Sequence, residues 1–167
     1  MKRVLFNLII SSVVFSSQNR LPNQFVYLDE IIPDIIIELR YSSSFNFLGK
    51  NVDGYKSNKC IVTKDMAEAL KLVQNELQSM GLGLKVYDAY RPQMSVDHFL
   101  RWANNESDTI TKKEFYPTLS KKELIENVYI ATKSSHSRGG AIDLTIISFP
   151  PSKQEPFNVE SQWDCSE

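Results

Sequence analysis

The sequence has 167 residues, with 19 basic and 20 acidic side chains and a formal net charge of −1. This length fits one domain with a buried core, and the balanced charge without a basic run argues against a nucleic-acid-binding surface. The two cysteines, Cys60 and Cys165, are too few for a disulfide framework, and no Cys-x-x-Cys pair is present. We interpret them as free thiols, with one disulfide as the alternative.

The first 17 residues have the pattern of a secretory signal. Residues 1–3 are a short basic start, residues 4–15 are mostly apolar, and residues 16–18 include small side chains suited to cleavage. The apolar run is too short for a stable membrane span. We therefore predict a signal peptide over 1–17 and a periplasmic or secreted domain over 18–167. The alternative is a buried or amphipathic N-terminal helix in a cytoplasmic protein, since no Ala-x-Ala site is present.

The next part of the chain predicts a strand, a loop and a long helix. The β-branched run at 35–41 is typical of a strand, and the glycine- and asparagine-containing stretch at 45–59 predicts a loop. The helix begins after Thr63, whose hydroxyl can cap the first turn, and it ends at Gly81. Its apolar residues recur at helical spacing and predict one core-facing stripe, formed by Met66, Leu70, Val73, Leu77 and Met80.

A second strand and helix follow. Residues 84–90 alternate as a strand, and Pro92 can start a helix that covers about 93–104. His98 lies on this helix. A lone histidine in such a place is more typical of a packed or solvated residue than of a metal ligand.

The remaining elements are a loop, a short helix and a strand. The polar stretch at 104–119 predicts a long loop that could form a rim of the site. Ser120 and Glu123 form a capping-box pattern for a helix from 121 to about 128. Residues 144–147 predict a buried strand. Helices and strands do not alternate strictly, so the predicted fold class is α+β.

The stretch at 134–143, Ser-Ser-His-Ser-Arg-Gly-Gly-Ala-Ile-Asp, places an imidazole seven residues before a carboxylate. Neutral His136 and ionised Asp143 are both ligands for a Zn²⁺-like cation. Gly139 and Gly140 permit the backbone angles that a chain reversal between them would need. By its spacing alone, the pattern is more typical of a hydrogen-bonded turn.

A second stretch, Tyr-Asp-Ala-Tyr-Arg-Pro at 87–92, places Arg91 where a strand gives way to a helix. An arginine there can clamp a carboxylate or a developing oxyanion. The alternative is a surface arginine at the end of a strand.

Together and in this order, the two stretches resemble the D-alanyl-D-alanine dipeptidases, the zinc peptidases typified by the vancomycin-resistance dipeptidase. The resemblance extends through 99–103 with its tryptophan, 110–117 and 129–144, and so covers most of the chain from about residue 25. It implies the hedgehog/D-Ala-D-Ala-peptidase fold, in which a central antiparallel sheet carries the zinc site and helices pack on one face.

The resemblance also implies roles for four residues. His136 and Asp143 match the first two zinc ligands, and Arg91 matches the residue that stabilises the transition state. Ser134 falls where the family contacts substrate. The implied cofactor is zinc, which polarises the scissile carbonyl and activates a water. The implied substrate is the dipeptide D-Ala-D-Ala, a peptidoglycan precursor, held in a small closed pocket.

The sequence departs from the family in one respect. The family supplies its third zinc ligand and its general base in a Glu-x-x-His motif downstream of the aspartate, and this sequence has no histidine after His136. Other acidic or thiol side chains do not stand at that spacing: Glu155, Glu160, Cys165 and Glu167. We therefore expect the domain at 18–167 to lack this ligand, this base and the final strands.

A catalytic zinc site normally has three protein ligands, so we expect weak zinc binding and impaired or absent hydrolysis by this chain alone. Two alternatives stay open. One is a non-catalytic module that binds D-Ala-containing peptidoglycan peptides. The other is an enzyme completed by a separately encoded C-terminal fragment.

Overall fold

The computed structural model describes residues 21–150. The predicted signal peptide, Cys165 and the acidic residues after position 150 lie outside this range. The elements follow one another as β1 (Phe25–Tyr27), α1 (Leu28–Ile31), β2 (Ile36–Ile37), β3 (Ile61–Thr63), α2 (Lys64–Ser79), β4 (Leu82–Asp88), α3 (Gln93–Ala103), α4 (Lys112–Phe115), α5 (Lys121–Glu126) and β5 (Asp143–Ser148). Short 3-10 turns lie at Arg40–Ser42 and Ser135–Arg138. The α+β class is confirmed.

The strands form two small sheets. β1 pairs antiparallel with β3, and β4 is the middle strand of a three-stranded sheet between β2 and β5. The β4–β5 pair is antiparallel, as expected, but β2 joins β4 in parallel. This parallel pair is possible because α2 returns the chain across the sheet between the two strands. The sheet is therefore mixed and not wholly antiparallel.

The predicted strand at 35–41 shortens to the two residues of β2. The Leu39 N–H donates to the side-chain Oδ1 of Asn58 at 3.0 Å and not to a neighbouring strand, so the strand pairing does not continue to Leu39. The Arg40 guanidinium then lies 4.9 Å from the Phe45 ring centre and 4.8 Å from that of Tyr87. The predicted loop at 45–59 contains no helix or strand.

α2 begins as predicted, with the Thr63 hydroxyl accepting a hydrogen bond from the Met66 N–H at 3.3 Å. The predicted apolar stripe is wrong at Val73 and Met80, which are exposed. Gln74 is buried instead, because its side-chain oxygen accepts a hydrogen bond from the Leu84 N–H of β4 at 2.8 Å. The buried face of α2 therefore includes a polar side chain that bonds to the sheet.

α3 matches the predicted helix to within one residue. The capping box of α5 is confirmed: Ser120 Oγ accepts from the Glu123 N–H, and the Glu123 carboxylate accepts from the Ser120 N–H at 2.7 Å. α5 ends at Glu126, two residues before the predicted end. The predicted loop at 104–119 contains the single-turn helix α4.

The predicted burial of β5 is wrong at Leu144 and Ile146, which are exposed. They lie opposite Val86 and Leu84 of β4, which are buried. β5 is the edge strand of the sheet as described, so its apolar side chains have neighbours on one side only. Among residues 21–150, no helix has the length and apolar character needed to cross a membrane.

Two apolar cores lie on either side of the β4–α3 junction. The first packs α2 against the sheet and includes Val62, Leu70 and Val86. The second surrounds α3 and includes Phe99 and Trp102. The residues between β4 and α3 are therefore held from both sides.

Candidate active site

β4 ends on a buried carboxylate, that of Asp88, which is 1% exposed. Its Oδ2 accepts hydrogen bonds from Arg91 Nε at 2.9 Å and from Arg91 Nη2 at 2.7 Å. Its Oδ1 accepts from the Tyr55 hydroxyl at 2.5 Å. Charge-assisted bonds of this kind are among the strongest in proteins, so they fix the direction of the Arg91 side chain.

Arg91 is further confined by aromatic rings and by the backbone. Its Cζ lies 5.2 Å from the ring centres of both Tyr41 and Phe99, within the range of a cation–π interaction. Its N–H donates to the His136 carbonyl at 3.2 Å, and its Nη2 lies 3.5 Å from Asp143 Oδ2. Arg91 therefore contacts both predicted metal ligands, His136 through its backbone N–H and Asp143 through its guanidinium.

His136 lies in the 3-10 turn, and Asp143 begins β5 opposite Asp88. The His136 ring donates from Nδ1 to the Ala89 carbonyl at 2.8 Å, which orients the ring. Its Nε2 lies 3.5 Å from Asp143 Oδ1. The chain reversal predicted at 134–143 thus brings the imidazole and the carboxylate together.

The reversal depends on one of the two glycines. Gly139 has φ +69°, a left-handed conformation that favours glycine, and a Cβ there would lie 2.4 Å from Phe25 Cε1. Its N–H donates to the His136 carbonyl, and its carbonyl accepts from the Thr63 N–H. A Cβ on Gly140 would meet nothing within 4 Å. Gly139 is therefore the hinge that places His136.

All four residues predicted to form the site line one cleft of about 330 Å³: Arg91, Ser134, His136 and Asp143. The Ser134 hydroxyl caps the 3-10 turn by accepting from the His136 N–H at 3.3 Å. Residues 128–131 and 133–135 also line the cleft, and they include Tyr129 and the exposed Lys133. The predicted rim at 104–119 is wrong, because no residue of that stretch lines the cleft.

Burial and neighbouring charges shift the pKa values of this cluster. Burial raises the pKa of Asp88, and the Arg91 charge and the Tyr55 hydrogen bond oppose the rise. Burial and the Asp88 charge raise the pKa of Tyr55, so Tyr55 stays neutral and donates. For His136, burial and the Arg91 charge lower the pKa, but the hydrogen bond to Asp143, the Asp143 charge and the Ala89 carbonyl outweigh them, so the pKa lies above its ordinary value.

The donor atoms fit a metal ion. Asp88, His136 and Asp143 each offer a ligand atom, and these atoms lie within 4.8 Å of one another. Zinc bonds of about 2.0–2.2 Å at a tetrahedral angle place two ligand atoms roughly 3.3–3.5 Å apart, which matches the 3.5 Å between His136 Nε2 and Asp143 Oδ1. Asp88 lies 3.5 Å from the other ring nitrogen, Nδ1. Because both of its oxygens already accept hydrogen bonds, Asp88 fits a supporting role better than a ligand role.

Sequence reasoning missed Asp88 and Tyr55. Asp88 lies three residues before Arg91 at the end of a strand, and this spacing could have predicted the ion pair between them. Tyr55 lies in the loop 33 residues before its partner, and no local pattern marks it. His98 lies outside the cleft, where its Nδ1 accepts from the Asp53 N–H at 3.1 Å.

The family model described as D-ala-D-ala dipeptidase matches residues 22–150, which include every residue of this cleft. The chain belongs to the D-Ala-D-Ala dipeptidase family. This is a family of metal-dependent peptidases, and the cluster of Asp88, His136 and Asp143 agrees with that dependence.

Curated D-alanyl-D-alanine dipeptidases show the same relationship. The protein of Enterococcus faecalis is 45% identical over 124 residues, which are 74% of this chain and 61% of the relative. That of Enterococcus faecium is 41% identical over 73% of this chain and 60% of the relative. That of Escherichia coli is 32% identical over 74% and 53%. The chain thus spans about 60% or less of the length of these D-Ala-D-Ala dipeptidases.

Proposed function

We propose that this chain provides the substrate cleft and part of the metal centre of a zinc-dependent dipeptidase, which hydrolyses D-Ala-D-Ala to D-alanine in cell-wall precursor metabolism. The observation that supports this most directly is the convergence of Arg91, His136 and Asp143 in one small cleft. Family membership supports the reaction class. We also propose the hedgehog-like arrangement of the family, supported by the antiparallel β4–β5 pair that positions the site.

His136 through Nε2 and Asp143 through a carboxylate oxygen would hold the zinc. When bound, zinc polarises the scissile carbonyl and lowers the pKa of a water. The hydrogen bond from His136 Nδ1 to the Ala89 carbonyl supports this role, since metal-binding histidines commonly donate their other N–H to a backbone carbonyl. A Glu-x-x-His segment of the family type would supply the third ligand and the general base. A separately encoded fragment that carries it is the partner that this site would accept.

Arg91 would donate to the oxyanion that forms during attack on the peptide bond. Its bonds to Asp88 use Nε and Nη2, so Nη1 is left for the substrate. Because Asp88 and Tyr55 fix the guanidinium in advance, little reorganisation is needed when the charge develops. This preorganisation is the main physical source of stabilisation by such donors.

Ser134 and Lys133 would bind the rest of the dipeptide. The Ser134 hydroxyl already accepts from the His136 N–H, so its own hydrogen is available to donate. Lys133 is exposed on the cleft wall and suits the free carboxylate that a dipeptide presents. Together these groups would favour a short substrate with a free carboxyl end.

The deciding experiment measures D-alanine release from D-Ala-D-Ala by the purified full chain, with zinc added in steps, alongside calorimetric binding of the same dipeptide. L-Ala-L-Ala serves as the control ligand. We expect the chain alone to bind D-Ala-D-Ala selectively, and zinc-dependent hydrolysis to begin when a fragment that carries a family-type Glu-x-x-His segment is added. Equal binding of the two dipeptides, or binding of neither, contradicts the proposal.

The second candidate function is a non-catalytic binding module for D-Ala-containing peptidoglycan peptides. A catalytic zinc normally has three protein ligands. Among residues 21–150, the cluster offers His136 and Asp143, and its third member, Asp88, already accepts hydrogen bonds from Arg91 and Tyr55, which favours the binding module. Selective binding of D-Ala-D-Ala without D-alanine release, at saturating zinc and with the Glu-x-x-His fragment present, would establish this module in place of the enzyme.

We further propose a periplasmic or secreted location, supported by the signal-like composition of residues 1–17. Fractionation of cells that express the full chain tests this. Recovery with the periplasm or medium is expected, and recovery with the cytoplasm contradicts it.

A further inference from the structure

The residue two positions after α5, Val128, has φ +64°, and it is the one non-glycine residue with a positive φ among residues 21–150. Helices commonly end with a left-handed residue at this position, and glycine is the usual choice because it has no Cβ. The Val128 N–H donates to the Ile125 carbonyl at 3.0 Å, as expected for such an ending. A β-branched residue is among the least suited to this conformation, so Val128 destabilises the turn that it occupies.

The side chain of Val128 does not offset this cost by burial, because it is 71% exposed. It lies on the wall of the cleft, beside Tyr129 and Ile130. Tyr129 is also exposed, whereas Ile130 is buried and its N–H donates to the Leu124 carbonyl at 3.0 Å. The wall is thus tied to α5 and presents two apolar side chains to the opening.

We propose that Val128 is a specificity-determining residue that narrows the mouth of this cleft and excludes dipeptides with large side chains. The inference rests on the proposed function and adds the residue that sets the size limit. A valine has one strongly restricted side-chain torsion, so its two methyl groups form a stiff edge. The cleft is at the small end of the range for ligand sites, and a small group at its mouth therefore has a large effect on what enters.

The test compares calorimetric binding of D-Ala-D-Ala and D-Ala-D-Phe to the full chain and to two variants, Val128→Gly and Val128→Ala. The wild-type chain is expected to prefer D-Ala-D-Ala. Both variants are expected to reduce that preference about tenfold, the usual scale for removing a few methyl groups from a pocket. Ile110→Ala is the control, since Ile110 is 90% exposed and does not line the cleft.

Thermal unfolding separates the side chain from the backbone. Val128→Gly relieves the left-handed strain and should raise the Tm by about 3 °C, whereas Val128→Ala removes the β-branching but keeps a Cβ at positive φ and should raise it less. Two outcomes overturn the inference and leave the proposed function in place. One is a stabilised Val128→Gly whose preference for D-Ala-D-Ala over D-Ala-D-Phe is unchanged. The other is a wild-type chain that binds both dipeptides equally well. A wild-type chain that binds neither dipeptide overturns both.

Discussion

One carboxylate oxygen of Asp88 accepts two hydrogen bonds from Arg91, at 2.9 Å and 2.7 Å, inside a site where Asp88 is almost fully buried. The second oxygen is used by Tyr55. Because both side chains are shielded from solvent, water cannot solvate either charge unless the junction between β4 and α3 opens. The pair therefore bears on both the stability of the fold and the position of the guanidinium.

Asp88→Asn should lower the free energy of unfolding by about 3 kcal/mol, because it leaves a largely buried guanidinium without its closest counter-charge. Urea denaturation measures this. Asp97→Asn is the matched control, since Asp97 lies on the exposed side of α3 and its replacement should change stability by less than about 0.5 kcal/mol. Similar stabilities for the two variants would show that the pair does not hold the junction.

Arg91→Lys should lower kcat for D-Ala-D-Ala about 10²-fold or more and change KM much less, because the lost donor acts mainly on the transition state. Steady-state kinetics measures this, with the chain combined with a fragment that carries the Glu-x-x-His segment. Arg101→Lys on α3 is the control, since Arg101 pairs with Asp53 at the surface and does not line the cleft. A rise in KM equal to the loss in kcat/KM would instead make Arg91 a ground-state clamp.

His136→Gln should weaken zinc binding, because it removes the nitrogen that faces Asp143. Competition with a chromophoric chelator gives the affinity. The sequence contains one other histidine, His98, which lies outside the cleft, so His98→Gln is the natural control and should leave zinc affinity unchanged. Equal zinc affinities for wild type and His136→Gln would rule out the ligand role.

Gly139→Ala should destabilise the protein by about 1–3 kcal/mol, because alanine is strained at φ +69° and its Cβ would collide with Phe25. Gly140→Ala should have little effect, since the added methyl meets nothing within 4 Å. Thermal unfolding of the two variants measures the difference. Because Gly139 also fixes the His136 carbonyl, the first variant should lose zinc affinity as well. Indistinguishable variants would mean that the hinge is not at Gly139.

Alkaline pH should destabilise the fold through Cys60. Burial raises the pKa of this thiol to about 12, with smaller contributions from the Asp88 and Asp29 charges. In the unfolded chain the thiol ionises near its ordinary value of about 8.5–9, so its contribution to stability is complete below that pH and is lost as the pH rises toward 12. Each pH unit in this window removes about 1.4 kcal/mol. Cys60→Ala should show a correspondingly flatter decline in unfolding free energy between pH 9 and 11, and an unchanged slope would contradict this account.

Elements whose signals are local could be predicted from the sequence. The caps at Thr63 and Ser120 bond to groups three residues away, so the pattern alone contains both partners. The turn between His136 and Asp143 was predictable for the same reason, because the hinge glycine lies between the two predicted ligands. The family resemblance supplied the link from this turn to Arg91, which lies 45 residues earlier.

Features that depend on distant partners could not be predicted in this way. Gln74 is buried because a strand ten residues later presents an N–H to it. Tyr55 belongs to the site because its loop folds back onto Asp88. Leu144 is exposed because β5 lies at the edge of the described sheet, although the apolar sequence of β5 predicts a buried strand. In each case the tertiary arrangement, and not the local pattern, decides the environment.

The contact between the His136 ring and the Ala89 carbonyl also decides the tautomer of the neutral imidazole. A carbonyl oxygen can only accept, so the hydrogen must reside on Nδ1. The unshared electron pair of the ring is then on Nε2, on the side of Asp143. The Ala89 carbonyl thus leaves Nε2 of the neutral ring free to act as a Lewis base toward the cleft. Because this carbonyl is a main-chain group, no side-chain substitution at position 89 removes it.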